Sequence, residues 1–211
     1  MKKYVALAGI ILIVSACASE ITNLTFTKKA VKEYYESGKY DEEMNAILAE
    51  ALKKLEKIKY DKNSAAVIDI DECALSNYPF MKALDYGNDD KMWDEWTYEA
   101  KARAIPQTKK IYDFLVSKGV KILFITGRNI RYYDATRKNL IDEGYTKIDT
   151  LICRTEKEKG ISAVQYKSHH RVELTKKGMK IIANLGDQWS DFEGGNSGLI
   201  IKFPNYLYFT K

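Results

Sequence analysis

The sequence predicts an α/β protein built on a doubly wound parallel sheet, preceded by a helical hairpin and carrying a small inserted cap. Three observations predict it. From Gln107 onward short apolar runs alternate with helical stretches, a glycine follows three of those stretches, and two of these runs, like the earlier one at Asp69, end in polar residues. Gly119, Gly144 and Gly178 stand where a left-handed helix cap is wanted. Alternation of this kind joins parallel strands through right-handed crossovers. The 211 residues suffice for one sizeable core without a disulfide or metal to staple it, since burial at this size reaches roughly 70% of the unfolded surface.

Composition narrows the classes further. With 45% hydrophobic and 30% charged residues the chain is neither fibrous, disordered nor polytopic. The formal charge of +5 is scattered, without a basic stripe interleaved by aromatics, so no nucleic-acid polymer is expected as a partner.

At the start, Lys2 and Lys3 precede an apolar run over residues 5–14 and then Ser15-Ala16-Cys17, the pattern of an export signal. The run is too short to span a bilayer, which takes about 20 apolar residues in a helix. Val14-Ser15-Ala16-Cys17 resembles a bacterial lipobox, which implies a signal peptide over 1–16 and a mature chain lipidated at Cys17. An ordinary cleaved signal with an incidental Cys is the alternative. Lipid chains on Cys17 would hold a soluble domain, residues 17–211, on a membrane of the bacterial cell envelope.

The mature chain begins with a helical segment up to about residue 60. Val31, Tyr34, Tyr35, Met44, Ile47, Leu48, Ala51, Leu52 and Leu55 recur at three- and four-residue intervals, broken at Gly38, and predict a helical hairpin. Ala65-Ala66-Val67-Ile68-Asp69-Ile70-Asp71 reads as a buried strand that stops in carboxylates. Residues 74–104 are aromatic and polar and predict a partly helical insertion. Helices follow over 107–117, 131–143 and from about 168 to 177, and strands over 120–126, 150–153 and 180–185. Cys73 and Cys153 fall on different strands in this reading, which favours two buried free thiols over a disulfide.

In open α/β sheets the site lies beyond the carboxyl ends of the strands. Three such ends carry Asp69 and Asp71, Thr126-Gly127-Arg128, and Gly186-Asp187-Gln188-Trp189-Ser190-Asp191. Four aspartates converging at one end repel one another unless a cation sits among them, and oxygen-only ligands point to Mg²⁺. A metal among carboxylates, with a hydroxyl, backbone amides and a lysine such as Lys167 nearby, suits phosphoryl transfer. One carboxylate can attack phosphorus, and a second two residues along an extended strand end can protonate the leaving alkoxide.

These residues resemble the haloacid dehalogenase (HAD) superfamily, and within it the subfamily IIIB acid phosphatases, which include plant acid phosphatases, vegetative storage proteins and bacterial lipoprotein acid phosphatases. The resemblance runs through Val67-Ile68-Asp69-Ile70-Asp71-Glu72 with Ala74-Leu75-Ser76-Asn77, Phe124-Ile125-Thr126-Gly127-Arg128, Tyr166-Lys167-Ser168, the Gly186 to Asp191 stretch and Phe203-Pro204-Asn205. It implies a HAD-like, Rossmann-type sheet and a Mg²⁺-dependent phosphatase of small phosphate monoesters, nucleoside monophosphates among them. By it Asp69 is the nucleophile and Asp71 the acid and then base, while Thr126, Gly127 and Lys167 hold the phosphate. Asp69, the Asp71 carbonyl and Asp187 hold the metal, with Asp191, Arg128 and Asn77 in support. Cys73 stands where the family usually has Thr, which implies an altered rate or geometry rather than lost activity. A non-catalytic storage or ligand-binding protein on the same fold is the rival reading.

Within the cap, Tyr78, Trp93 and Trp96 are candidates to stack on a ring in the leaving group, or alternatively to pack the cap onto the domain. His169 and His170 have no third ligand in view and read as helix-surface residues. The oligomeric state is not legible.

Overall fold

The computed structural model describes residues 22–210; the export signal and Cys17 lie outside them. Helices α1 (Leu24–Glu36) and α2 (Lys39–Leu55) meet at Gly38, whose φ of +94° lets the chain turn between them. Met44, Leu48, Ala51 and Leu55 form the buried stripe of α2, which packs against the sheet side of the molecule. Strand β1 (Ser64–Ile68) follows. Then come β2 (Leu75–Ser76), α3 (Tyr78–Ala83), α4 (Asp90–Glu99) and β3 (Arg103–Ala104). The remaining chain runs α5 (Pro106–Ser117), β4 (Lys121–Asn129), α6 (Tyr133–Asp142), β5 (Thr150–Arg154), α7 (Ala163–Lys176), β6 (Lys180–Gly186) and β7 (Leu199–Lys202).

The five-stranded sheet has the order β5-β4-β1-β6-β7, and every pairing is parallel. All five residues of β1 are buried, as a central strand covered on both faces requires. Ala66 and Ile68 belong to the larger core, with α2 and α5; Ala65 and Val67 belong to the smaller one, with Tyr166 and Leu174 of α7. The chain proceeds outward from β1 through β4 to β5, then returns to the other side of β1 for β6 and β7. Strand order therefore reverses beside β1, and a crevice opens there at the carboxyl ends. The short antiparallel pair β2–β3, with Leu75 opposite Ala104, is the stem from which α3 and α4 project.

The structure departs from the sequence expectations in four places. Strand β4 runs on through Thr126-Gly127-Arg128 to Asn129, which pairs with Arg154 after a register shift beyond Ile125; an irregularity of this kind re-aims the residues within it. Helix α7 begins at Ala163 rather than near Ser168. It is capped by Ser162, which accepts from Gln165 N (3.2 Å) and whose N–H donates to Gln165 Oε1 (3.3 Å), so Lys167 lies in its second turn. Strand β7 was not anticipated. Cys73 lies in the loop after β1, not on a strand, while Cys153 is on β5; both are buried and free.

Candidate active site

Asp69 is the first residue after β1, anchored by its N–H to Leu185 O (3.0 Å). Asp187 follows β6 directly, and Asp191 closes a single 3₁₀ turn, Trp189–Asp191. All three are buried, and one carboxylate oxygen from each lies within 4.8 Å of the other two. Lys167 reaches in from α7, donating to Asp69 Oδ1 (2.7 Å) and to Asp191. Burial pushes the Asp69 carboxyl well up, opposed by the Lys167 charge and reinforced by Asp191, Asp187 and Asp71. Asp187 is pushed up to about 6, again by burial first and then by Asp191. Burial works against the Lys167 ammonium, but Asp69 and Asp191 outweigh it and hold the lysine charged. Three buried carboxylates against one ammonium leave negative charge uncompensated, on oxygen donors alone. That donor set fits a hard divalent cation.

Several neighbours hold these carboxylates in place. Gln188 N donates to Asp191 Oδ2 (2.9 Å), and Gln188 Nε2 and Asn205 Nδ2 both donate to Asp187 Oδ2 (2.7 Å each). Asn184 Nδ2 and Arg171 Nη1 donate to the Asp191 carbonyl (2.7 and 2.6 Å), and Arg171, fully buried, also binds the carbonyls of Phe192, Glu193 and Gly195. A Cβ at Gly186 would fall 2.2 Å from Asp191 Oδ2, so the last residue of β6 has to be glycine. Sequence reasoning gave none of Asn184, Gln188, Arg171 or Asn205 a role. Asn205 stood within a recognised stretch; Arg171 carried no signal beyond lying one helical turn after Lys167.

Asp71 stands apart from the three-carboxylate cluster. Arg128 donates to its Oδ1 from Nη2 (2.6 Å) and Nε (3.0 Å) and to its Oδ2 from Nε (3.2 Å), and Asn77 Nδ2 adds a bond to Oδ1 (2.8 Å). Asp71 and Asp69 nevertheless face one cavity, of about 800 Å³, which Gly127, Arg128 and Lys167 also line. Thr126 is buried, and its Oγ1 accepts from Arg128 N (3.1 Å). Cys73 is buried beside the cluster; burial, then the Asp69 charge, push its thiol well up, which makes it a packing residue.

The cap aromatics divide. Trp93 lines the cavity, its ring 5.7 Å from the Arg128 guanidinium. Trp96 and Tyr78 do not line it: Trp96 stacks on Phe80 and donates Nε1 to Asn77 Oδ1 (2.9 Å), and Tyr78 stacks on Tyr35 and donates to Glu36 (3.0 Å). Trp93 and Trp96, three residues apart on α4, share one face of that helix and both rings meet Phe80, but the docking of the helix brings only Trp93 to the cavity. The segment after β7 supplies the far wall through Leu207 and Tyr208. His170 bonds Glu158 (2.8 Å) and belongs to the outside of α7 rather than to the site.

A doubly wound sheet with its buried polar site at the switch point belongs to the class of α/β folds that bind ligands beyond the strand carboxyl ends, and these aspartates with a lysine suit phosphoryl transfer. The chain belongs to one family of that class, the HAD superfamily, subfamily IIIB (Acid phosphatase), whose pattern matches residues 12–211. Similar curated proteins include the Stem 28 kDa glycoprotein of Glycine max, 34% identical over 87% of this chain and 74% of that protein. Acid phosphatase 1 of Solanum lycopersicum is 32% identical over 85% of this chain and 72% of its own length. Among solved structures, the Class C acid phosphatase from Bacillus anthracis is 26% identical, with 88% of this chain and 86% of that chain covered and a TM-score of 0.72. A second structure of it, with tungstate bound, gives a TM-score of 0.69.

Proposed function

We propose that this phosphomonoesterase hydrolyses small phosphate esters, nucleoside monophosphates among them, through a phosphoaspartate on Asp69 with Mg²⁺ as cofactor. The observation that carries the reading is the cluster of Asp69, Lys167, Asp187 and Asp191, of which Asp69, Lys167 and Asp187 line a cavity that also admits Asp71. Asp69, the Asp71 carbonyl and Asp187 would hold the cation, with Asp191 supporting, and the bound cation would offset the repulsion between an anionic ester and an anionic nucleophile. An Asp69 oxygen attacks phosphorus as the bond to the leaving oxygen breaks, and Asp71 gives that oxygen its proton. Water then attacks the acyl phosphate, Asp71 takes the proton back, and the bond from phosphorus to Asp69 breaks. Thr126 Oγ1, the Gly127 N–H and Lys167 hold the transferring oxygens. The tungstate in the Bacillus anthracis structure supports an oxyanion site in that protein, and the shared fold brings the argument to this one.

Trp93 is the residue this reading assigns to the leaving group, since it is the one of the three cap candidates that reaches the cavity. Lipidation at Cys17, and with it anchoring in the bacterial envelope, rests on the lipobox-like sequence alone; mass spectrometry of the mature N-terminus tests it. The mechanism is tested with purified Asp69→Asn. Turnover of p-nitrophenyl phosphate in Mg²⁺ should fall by at least ~10³-fold with the melting temperature retained, because covalent catalysis is removed outright. Surviving activity overturns the phosphoaspartate.

A further inference from the structure

Glu72 is a buried acid that the mechanism above does not use. It is 3% exposed and sits at φ +54°, a left-handed backbone that residues with a side chain seldom adopt. Its carboxylate accepts from the Asn77 backbone N–H (2.7 Å), from Asn77 Nδ2 (3.3 Å) and from the Tyr208 hydroxyl (2.5 Å). Asn77 is thereby committed at every atom of its amide: Nδ2 also donates to Asp71 Oδ1 (2.8 Å), and Oδ1 accepts from Trp96 Nε1 (2.9 Å). Turned end for end, that amide would set its oxygen against two carboxylates and its NH₂ against an indole N–H. Glu72 and Trp96 therefore fix the one orientation in which Asn77 donates to Asp71.

The consequence falls on a single atom. Asp71 Oδ1 accepts three bonds, from Arg128 Nη2, Arg128 Nε and Asn77 Nδ2, whereas Oδ2 receives only Arg128 Nε at 3.2 Å. An oxygen saturated by donors has no place for a proton, so the transferable proton of Asp71 belongs on Oδ2. We propose that Glu72 is a positioning residue for the general acid. Acting through Asn77, it decides which oxygen of Asp71 carries the proton and where that oxygen stands, and Tyr208 and Trp96 tie this hold to the C-terminal segment and to the cap. The inference rests on the assignment of Asp71 as general acid.

The test compares kcat/KM for an alkyl ester, glycerol phosphate, with that for an aryl ester, p-nitrophenyl phosphate. An alkoxide needs the proton to leave, whereas nitrophenolate departs without it, so misplacing the acid separates the two. Glu72→Gln should lower kcat/KM on the alkyl ester roughly 10- to 100-fold more than on the aryl ester, the scale of a small misplacement of a reacting group. Tyr208→Phe should split the esters in the same direction by less, and carries the test if Glu72→Gln does not fold. Because Glu72 acts through Asn77, the double variant Glu72→Gln/Asn77→Ala should show no larger split than Asn77→Ala alone. Equal losses on both esters, as expected of a residue that only holds the loop, would overturn the proposal; so would additive splits. Asp71→Asn is the reference: if it fails to split the esters, the general-acid assignment itself is lost, whereas a split there with none in Glu72→Gln and Tyr208→Phe rejects Glu72 alone.

Discussion

Replacing Lys167 with methionine removes the ammonium that sits among three buried carboxylates while keeping most of its volume. At the 2.7 Å separation from Asp69 and an effective dielectric of 20, one pair of unit charges attracts by about 6 kcal/mol before desolvation. Desolvation offsets part of this, and deleting one partner of a buried pair leaves about 3–5 kcal/mol of net destabilisation. At about 2–4 °C per kcal/mol for a chain of this size, the melting temperature should fall by about 6–20 °C at pH 8 in chelator. The fall should be smaller at pH 5, where Asp187, pushed up to about 6, and Asp69, also raised by burial, can take up protons instead. Saturating Mg²⁺ at pH 8 should restore part of the loss by supplying positive charge from another source. Scanning calorimetry at the two pH values, with and without Mg²⁺, reads all three effects. A Lys167→Met protein that melts within about 2 °C of the wild type at pH 8 in chelator would refute the reasoning, since the carboxylates would then tolerate one another without the lysine.

The wild type should itself lose stability in chelator as pH rises. The folded-state value of about 6 for Asp187 lies above the ordinary carboxylate value of 3.8, so the folded state binds this proton more tightly and its contribution is full below pH ~4 and lost as pH rises through 6. For Asp187 the shift is worth on the order of 3 kcal/mol; a melting temperature that rises from pH 5 to pH 8 would contradict it. Gly186→Ala should abolish phosphatase activity, because Asp191, pinned by Lys167 and Gln188, cannot leave the space that the new methyl takes; full activity would show that the turn can give way. Trp93→Ala should lower kcat/KM for a nucleoside monophosphate roughly 5- to 150-fold, from about 1–3 kcal/mol of stacking, and barely alter it for glycerol phosphate. Parallel losses on the two esters would return Trp93 to a packing role.

The parts of the site that were legible in the sequence are those where an apolar run stops abruptly in polar residues. Asp69 after Ile68 and Asp187 after Gly186 are such stops, and the structure brings both together with Lys167. Arg128 and Asn77, read as supporting residues, both bond Asp71. Strand β7 stayed hidden because four residues after a glycine-rich loop have no periodicity of their own, and its place is given by pairing with β6. The start of α7 was missed although Ser162 and Gln165 carry the spacing of a reciprocal cap. Trp93 could not be told from Trp96, because which of them faces the cavity depends on how α4 sits on the domain. Glu72 and Tyr208 meet across most of the chain's length, and no local pattern announces such a contact.

The placement of β1 also has a consequence for how the chain reaches its fold. It lies at the centre of the sheet yet precedes both of its neighbours: Ala65 pairs with Lys121 on one side and with Ile181 on the other. During synthesis, Ser64-Ala65-Ala66-Val67-Ile68 stands with two bare edges until β4 emerges, and with one until β6 does. A short apolar strand in that state is well suited to pair with another copy of itself. Its native partners are remote in sequence, so the loop-closure cost comes before any pairing is gained. Refolding from denaturant should therefore be slow and should lose yield steeply with concentration, and fragments ending before Lys180 should aggregate. The arrangement that sets Asp69 between two flanking strands makes the unfinished chain dependent on whatever keeps residues 64–68 covered.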